Sequence, residues 1–134
     1  MRTSISIGSA YYNGEDWEDL VAYTQRAEKF GVDQGWSGEA WGMDAIGPLA
    51  FLAAKTEKIG LGTGIMQISA RVPSMIAMTS QSMATVSNDR FILGLGVSGP
   101  QVVGVMHGAS FANPLGSLSE CLQIVKLGLN VDRV

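Results

Sequence analysis

The fold is decided by a glycine-rich apolar stretch, Lys58-Ile-Gly-Leu-Gly-Thr-Gly-Ile-Met66, whose centre recurs as Gly94-Leu95-Gly96 within Arg90-Phe-Ile-Leu-Gly-Leu-Gly-Val97. Short apolar runs of this kind are typical of strands buried in a parallel sheet. Two weaker runs precede them, at residues 4–7 and around 33–37. The four runs start about one βαβ unit apart, so the sequence predicts an α/β fold with a parallel sheet. The repeat fits either an α/β barrel or a doubly wound sheet.

Each of the first two runs is followed by a segment with helical spacing. Asn13 is a candidate N-cap for the first helix, Asp16 lies near its start, and Gly31 suits its C-cap. The predicted inward positions of this helix are Trp17, Leu20, Val21 and Thr24. We expect the second helix at about residues 44–56.

The later runs are also followed by helical patterns. Pro73 suits the first turn of the third helix, and Ser117-x-x-Glu120 resembles a capping box at the start of the last one. The predicted inward stripe of the third helix is Met75, Thr79, Ser82, Met83 and Val86. That of the last helix is Leu118, Cys121, Leu122 and Val125.

Composition favours one folded domain over residues 1–134. Hydrophobic residues make up 46% and charged residues 16%, against a usual ~25%, which argues against disorder. The net charge of −3 offers no basic surface for nucleic acid or an anionic membrane. One cysteine and one histidine exclude an internal disulfide and a Cys- or His-rich metal site within one chain. With no signal-peptide pattern and no apolar run long enough for a membrane helix, we expect a cytoplasmic protein.

Gly94-x-Gly96-x-x-Gly99 matches the fingerprint of nicotinamide-dinucleotide sites, in which glycines let the backbone approach pyrophosphate. Its context differs, because it follows the fourth strand, and Pro100 and Gly104 interrupt the helix that should come next. We favour glycines at a crowded strand end. An NAD-binding Rossmann-type domain remains an alternative.

Other candidate groups follow the second and third runs. Glu39 lies just after the second strand, between Trp36 and Trp41, where a parallel fold places its site. From the residues alone, a solvated loop carboxylate and a core-covering tryptophan are the favoured interpretations. The glycines of residues 62–65 fit two interpretations equally, approach of a flat ligand or close packing of a helix.

His107, Cys121 and the methionines have simpler interpretations. His107 has no identifiable catalytic partner, and Cys121 lies on an apolar helical stripe, so we expect a loop histidine and a buried thiol. Met75, Met78 and Met83 are interpreted as packing residues. Small residues around them suit close helix packing, including packing against a second subunit.

The order and spacing of several motifs resemble the luciferase-like flavin and deazaflavin oxidoreductases. The resemblance covers nearly the whole chain, and the branch it suggests uses the deazaflavin coenzyme F420. It is carried by Phe30-Gly-Val-Asp33, Gly38-Glu-Ala-Trp-Gly42, Ile59-Gly-Leu-Gly-Thr-Gly-Ile65, Arg71-Val-Pro73, Ala77-Met-Thr79, His107-Gly108, Pro114-Leu115 and, most strongly, Asp89-Arg-Phe-Ile-Leu-Gly-Leu-Gly-Val-Ser-Gly-Pro-Gln-Val102.

The resemblance implies a TIM barrel with a flat cofactor at the strand ends, F420 first and FMN as the alternative. It places a bulge with a non-prolyl cis peptide at Gly64-Ile65, behind the ring. The other implied cofactor contacts are Glu39, Gln67, Ser98 and Gly99. It places Trp41 in the lining of a small-molecule substrate pocket, and no metal is implied.

The chain also departs from the family pattern. Some deazaflavin dehydrogenases have an acidic residue where this chain has Pro100, and a histidine where it has Ala40. We therefore assign no catalytic residue.

Four βα units make about half of a barrel, which usually needs about 250 residues. We therefore expect a partial TIM barrel, the N-terminal half of a flavin- or deazaflavin-dependent oxidoreductase. Whether these residues are an enzyme by themselves stays open, and weak cofactor binding is expected. The non-enzymatic alternative is a self-associating half-barrel, because an open parallel sheet has edges that need cover. In either case we expect a homo-oligomer.

Overall fold

The structure, a computed structural model, describes residues 1–7 and 17–130. The predicted Asn13 cap and Asp16 lie outside the described residues. The strands and helices of the described chain are, in order, β1 (Ser4–Ser6), α1 (Trp17–Lys29), β2 (Gln34–Ser37), α2 (Ile46–Ala53), β3 (Gly60–Thr63), β4 (Met66–Gln67), α3 (Pro73–Val86), β5 (Phe91–Ile92), β6 (Leu95–Gly96) and α4 (Pro114–Asn130). A five-residue π-helix, Val102–Met106, lies between β6 and α4.

All described strand pairs are parallel, as predicted. The main sheet has the order β1-β2-β3-β5, and β4 pairs with β6 in a short second sheet. Strands that follow one another in chain order form a barrel wall, whereas a dinucleotide-binding sheet reverses its order after the first strand. The Rossmann-type alternative is therefore wrong.

The two glycine-rich runs each form two strands instead of the single strand that the sequence predicts. Gly62 is paired with Ile92, but Met66 is paired with Leu95, so three residues on one strand lie opposite two on the other. This is a β-bulge, and it divides the sheet at residues 63–65. The bulge expected at Gly64-Ile65 is confirmed.

A single hydroxyl group closes the gap that the bulge leaves in the ladder. Thr63 Oγ1 donates to the Gly94 carbonyl and accepts from the Gly94 N–H, both at 2.8 Å. Gly94 has no room for a side chain, because a Cβ there would overlap the carbonyl oxygen of Thr63. The expectation of a glycine for a crowded strand end is thus confirmed at this position.

Helices cover one face of the sheet. The main core cluster contains Ile7, Leu49, Leu52, Ile59 and Leu61, all essentially inaccessible to solvent. Leu20 and Val21 of α1 pack against this cluster, as the helical spacing predicts. The α1 C-cap is also as predicted, since Gly31 has a φ of +79°.

Helix α3 is rotated from the predicted inward stripe. Its buried residues are Ile76, Ala77, Ser80 and Met83. Met75, Met78 and Val86 are exposed, so of the three methionines only Met83 packs in the core. The prediction missed Ser80 because its hydroxyl donates to the Ile76 carbonyl at 2.8 Å, which makes burial of a polar side chain inexpensive.

Helix α4 packs against α3 and starts earlier than predicted. Asn113 Oδ1 accepts the Gly116 N–H at 3.2 Å, so the helix is capped four residues before the expected capping box at Ser117. Cys121 and Val125 are buried beside Ala77, as predicted, whereas Leu122 is exposed.

The loop before β3 is fixed by two opposite charges. All five guanidinium N–H groups of Arg90 are donated, to Ser87 O, Thr56 Oγ1, Ile59 O, Ala53 O and Thr56 O. The Glu28 carboxylate accepts the backbone N–H groups of residues 57, 58 and 59. Burial raises the pKa of Glu28, but these hydrogen bonds, from Ile59, Lys58 and Glu57, and the Arg90 charge outweigh it and leave the pKa below its usual 4.5.

We predict that Gly94→Ala destabilises the fold by about 1–3 kcal/mol, because the added methyl group overlaps the Thr63 backbone. The matched control is Gly104→Ala, whose Cβ would meet nothing within 4 Å. We expect the control to be neutral or slightly stabilising. Urea unfolding of both variants measures the difference, and equal stabilities would contradict the crowding at Gly94.

A second prediction concerns acid. Because the pKa of Glu28 is lower in the folded state, its stabilisation is complete above the unfolded value near 4.5 and is lost as pH falls through the folded pKa. Between about pH 5 and pH 3 the melting temperature of the native chain should therefore fall more steeply than that of Glu28→Gln. Glu120→Gln controls for loss of a charge, and parallel curves for the native chain and Glu28→Gln would refute the prediction.

Candidate functional site

The carboxyl ends of parallel strands meet at one edge of a sheet, where α/β barrels carry their sites. The predicted site residues lie at this edge, because they follow β2, β3 or β6 or, in the case of Gln67, end the short strand β4: Glu39, Gly64, Ile65, Gln67, Ser98 and Gly99. The Gly64–Ile65 peptide is cis, as expected. Gly64 is exposed, and its N–H donates to the Ser37 carbonyl at 2.8 Å, which holds the bulge against the end of β2.

The glycines around the bulge allow close packing. A Cβ on Gly96 would lie 2.9 Å from Ile65 Cγ1, and one on Gly38 would lie 3.3 Å from the Gly64 carbonyl oxygen. A Cβ on Gly62 would overlap the Trp36 indole ring. The Ile65 side chain therefore packs directly against the Gly96 backbone of β6, and Gly96 has a packing role there.

A buried ion pair lies beside the bulge. Arg71 Nη1 is 2.7 Å from each carboxylate oxygen of Glu39, and the side chains are only 17% and 8% exposed. Arg71 Nη2 also lies 4.0 Å from Asp44 Oδ1, which accepts the backbone N–H groups of Ile46 and Gly47 and caps α2. Glu39 is therefore not the solvated loop carboxylate that its sequence position favours.

Gln67 joins this ion pair to strand β4. Its backbone N–H donates to Glu39 Oε2 at 3.0 Å, and its Nε2 donates to the Glu39 carbonyl oxygen at 2.9 Å. The residue is fully buried, yet its Oε1 has no hydrogen-bond partner in the described structure. An unpaired buried acceptor costs about 1–3 kcal/mol, so this atom marks a position where a ligand donor would be stabilising.

Ser98 and Gly99 lie just beyond β6 and are half-buried. Ser98 has a φ of +60°, a left-handed conformation that is uncommon for a residue with a side chain and concentrates at functional sites. The Val102–Met106 π-helix follows, and π-helical turns are also frequent at such sites. A cavity of about 190 Å³ opens here, lined by Ser69, Val97 and the first turn of α4 among others.

The other candidates lie apart from this cluster or have structural roles. Trp41 is 46% exposed, on the loop after Glu39. His107 ends the π-helix, and its Nε2 is buried without a partner among the described residues. Cys121 is buried between α3 and α4, and burial raises the pKa of its thiol.

Arg71 is the site residue that sequence reasoning missed, because it entered only as part of a family motif. A signal was available, since Arg71, Asp89 and Arg90 are the only charged residues between positions 59 and 119. A lone cation in an apolar stretch usually has a buried partner. Among residues 1–7 and 17–130 no cluster of potential metal ligands is present. In the same part of the chain, every helix falls short of the length and apolarity needed to cross a bilayer.

Comparison with known proteins identifies the family. Residues 1–134 match the luciferase-like monooxygenase family. A Mycobacterium tuberculosis protein provisionally named a coenzyme F420-dependent oxidoreductase is 38% identical over 126 residues, which are 94% of this chain and 36% of that protein.

Two solved structures share the fold at low sequence identity. The F420-dependent tetrahydromethanopterin reductase of Methanopyrus kandleri superposes with a TM-score of 0.78 at 20% identity, over 92% of this chain and 39% of that one. The oxygenating part of the 3,6-diketocamphane monooxygenase of Pseudomonas putida, solved with FMN, has a TM-score of 0.73 at 19% identity, over 93% and 38%.

The chain spans a little over a third of the length of these relatives. Its α/β fold is that of the TIM-barrel enzymes to which it is similar. Together with the match over its whole length, this shows that the chain belongs to the luciferase-like monooxygenase family.

Proposed function

We propose that this chain forms the ring-binding part of a flavin- or deazaflavin-dependent oxidoreductase, with F420 favoured over FMN. The observation that carries the proposal is Gln67 Oε1, which has no partner in the described part of the chain and belongs to a fully buried residue two positions after the Gly64-Ile65 bulge. The F420-dependent names of two relatives support the choice of cofactor, and the monooxygenase solved with FMN supplies the alternative.

The residues at the bulge fit a flat ring. Gly64 is exposed and presents no side chain, so a ring would reach the backbone there. Ile65 is half-buried and is held by close packing against Gly96, which suits an apolar support behind the ring. When bound, the ring would supply hydride transfer, or oxygen activation in the case of FMN.

The chain's own side chains would hold and orient the ring. We propose cofactor contacts at Glu39, Gly64, Ile65, Gln67, Ser98 and Gly99. The half-exposed Trp41 would line the entrance for a small-molecule substrate. No catalytic residue is assigned, and a reducing cytoplasmic location remains a proposal based on the single buried thiol.

We also propose that binding by these 134 residues alone is weak. The relatives are nearly three times as long as the matched segment, so much of their surface has no counterpart in it. The described site has the Arg71 guanidinium already paired with Glu39, which leaves that cation committed to the ion pair instead of a phosphate tail.

For ring binding, we predict dissociation constants of about micromolar or weaker for F420 and FMN, measured by fluorescence titration of the full chain. Gly96→Ala should weaken binding at least about tenfold, because its methyl group displaces the Ile65 side chain. Gly104→Ala is the control, and NAD should not bind saturably.

Three results would contradict parts of this proposal. Absence of ring binding at millimolar concentration would reject the function, and equal affinities for Gly96→Ala and Gly104→Ala would reject the position of the ring. Nanomolar binding would reject the proposal that these residues bind weakly.

Self-association is the second proposal, and the exposed face of α3 supports it. Met75, Met78 and Val86 lie along this face with Ser82, and Met78 is 59% exposed. Met75, Ser82 and Val86 were expected to face the core and Met78 to be a packing residue, and in the structure all four line the surface instead. Exposed methionines beside small side chains suit an interface between two copies of the chain.

We predict that light scattering at micromolar concentration finds an oligomer larger than the 14.2 kDa chain. Met78→Glu should shift the mass towards the monomer, because a carboxylate would be buried in the interface. Asp19→Asn is a control on an exposed part of α1. A native chain that is already monomeric would contradict the proposal.

A further inference from the structure

We propose that Arg71 is a positioning residue which, through Glu39, holds the Gln67 carboxamide so that Oε1 accepts a hydrogen bond from an imide N–H of the bound ring. This inference rests on the proposed function and adds the chemical group that Gln67 recognises. It also gives Glu39 and Arg71 a role that acts through Gln67.

The Arg71–Glu39 ion pair fixes the position of the Glu39 carboxylate. Arg71 follows β4 and Glu39 follows β2, so the pair joins two loops that are far apart in sequence. Both oxygens of Glu39 lie 2.7 Å from the same guanidinium nitrogen, which restricts rotation of the carboxylate. Asp44, 4.0 Å from the other terminal nitrogen, faces Arg71 from the start of α2.

Glu39 in turn orients the Gln67 carboxamide. Gln67 receives two constraints from Glu39: its backbone N–H donates to the carboxylate, and its side-chain Nε2 donates to the Glu39 backbone carbonyl. A carbonyl oxygen only accepts, so the amide nitrogen must face Glu39. Oε1 is therefore on the opposite side, and its orientation follows from the hydrogen-bond network.

The described residues supply no hydrogen-bond donor to Gln67 Oε1. Gln67 Oε1 is buried and has no partner among the described residues, so it offers an acceptor and no donor to a ligand. Oxidised flavin and 8-hydroxy-5-deazaflavin rings share one N–H group, the imide at the pyrimidine edge. The other polar atoms of that edge are acceptors, which Gln67 Oε1 would repel. We therefore place the pyrimidine edge against Gln67; the 8-hydroxyl of the deazaflavin is the competing donor, and methylation of the imide leaves it unchanged.

The test compares 8-hydroxy-5-deazariboflavin with its derivative methylated at the imide nitrogen, titrated into the full chain by ligand-observed NMR up to millimolar concentration. The native chain should bind the unmethylated ring about tenfold more tightly. Gln67→Met keeps the length of the side chain but removes the acceptor, so the ratio of the two dissociation constants should fall to about one. Gln123→Met, the same change on the exposed face of α4, should leave the ratio at its native value.

Arg71 is tested by the same ratio, which a merely structural role would not change. Arg71→Met should lower the preference for the unmethylated ring, and Arg71→Lys should restore part of it. Because Arg71→Met leaves the Glu39 carboxylate buried without a counter-charge, the double variant Arg71→Met/Glu39→Gln is measured as well. It removes both charges, and we expect it to have a lowered ratio too.

The outcomes separate the inference from the proposed function. Equal binding of both rings to the native chain would overturn the inference and leave the proposed function standing. A native ratio that persists in the folded Arg71 variants would overturn the positioning role of Arg71. Binding of neither ring would overturn the proposed function, and the inference with it.

Discussion

The structure depends on one side chain that takes the place of a stretch of backbone ladder. Thr63 Oγ1 both donates to and accepts from Gly94, where the extra residue of the bulge separates the two strands. Without it, the Gly94 N–H would face the gap unpaired, and the Gly94 carbonyl would keep only the Met66 N–H as its donor. With it, the chain leaves the main sheet at Gly64, and Met66 resumes pairing one residue out of step. After that shift, Gln67 lies within hydrogen-bond distance of Glu39.

Two sets of charged side chains lie at opposite edges of the sheet and have different roles. At the start of β3, Arg90 and Glu28 pair with backbone groups and fix a loop. Beyond its end, Arg71 and Glu39 pair with each other, and the neighbouring Gln67 Oε1 has no hydrogen-bond partner among the described residues. In α/β barrels the edge at the amino ends of the strands serves stability, and the edge at their carboxyl ends carries the site. The same difference is seen here: the Arg90 guanidinium at the amino-end edge has all its hydrogen bonds, whereas Gln67 Oε1 at the carboxyl-end edge has none among the described residues.

The glycines along this edge of the sheet allow close packing, although their sequence context suggested either close packing or the approach of a ligand. Gly62 makes room for the Trp36 ring, Gly94 for a backbone carbonyl and Gly96 for Ile65. Two glycines of the fingerprint, Gly94 and Gly96, are therefore explained by packing at a divided strand. A Rossmann-type dinucleotide site would need its glycines at the first strand of a sheet whose order reverses, and the described sheet does not reverse.

The sequence by itself determined the class of fold, the apolar runs that contain the strands, the end of α1 at Gly31, the crowding at Gly94 and the loops that carry the candidate site. These are local properties, because short apolar runs, helix caps and glycine spacing are encoded by neighbouring residues. Tertiary structure decided the rotation of α3, the early start of α4 and the pairing of Arg71 with Glu39. Residues 39 and 71 are brought together only when β2, β3 and β4 align, and Ser80 is buried only because its own helix satisfies its hydroxyl. Contacts between distant residues depend on strand register, which no single stretch of sequence contains.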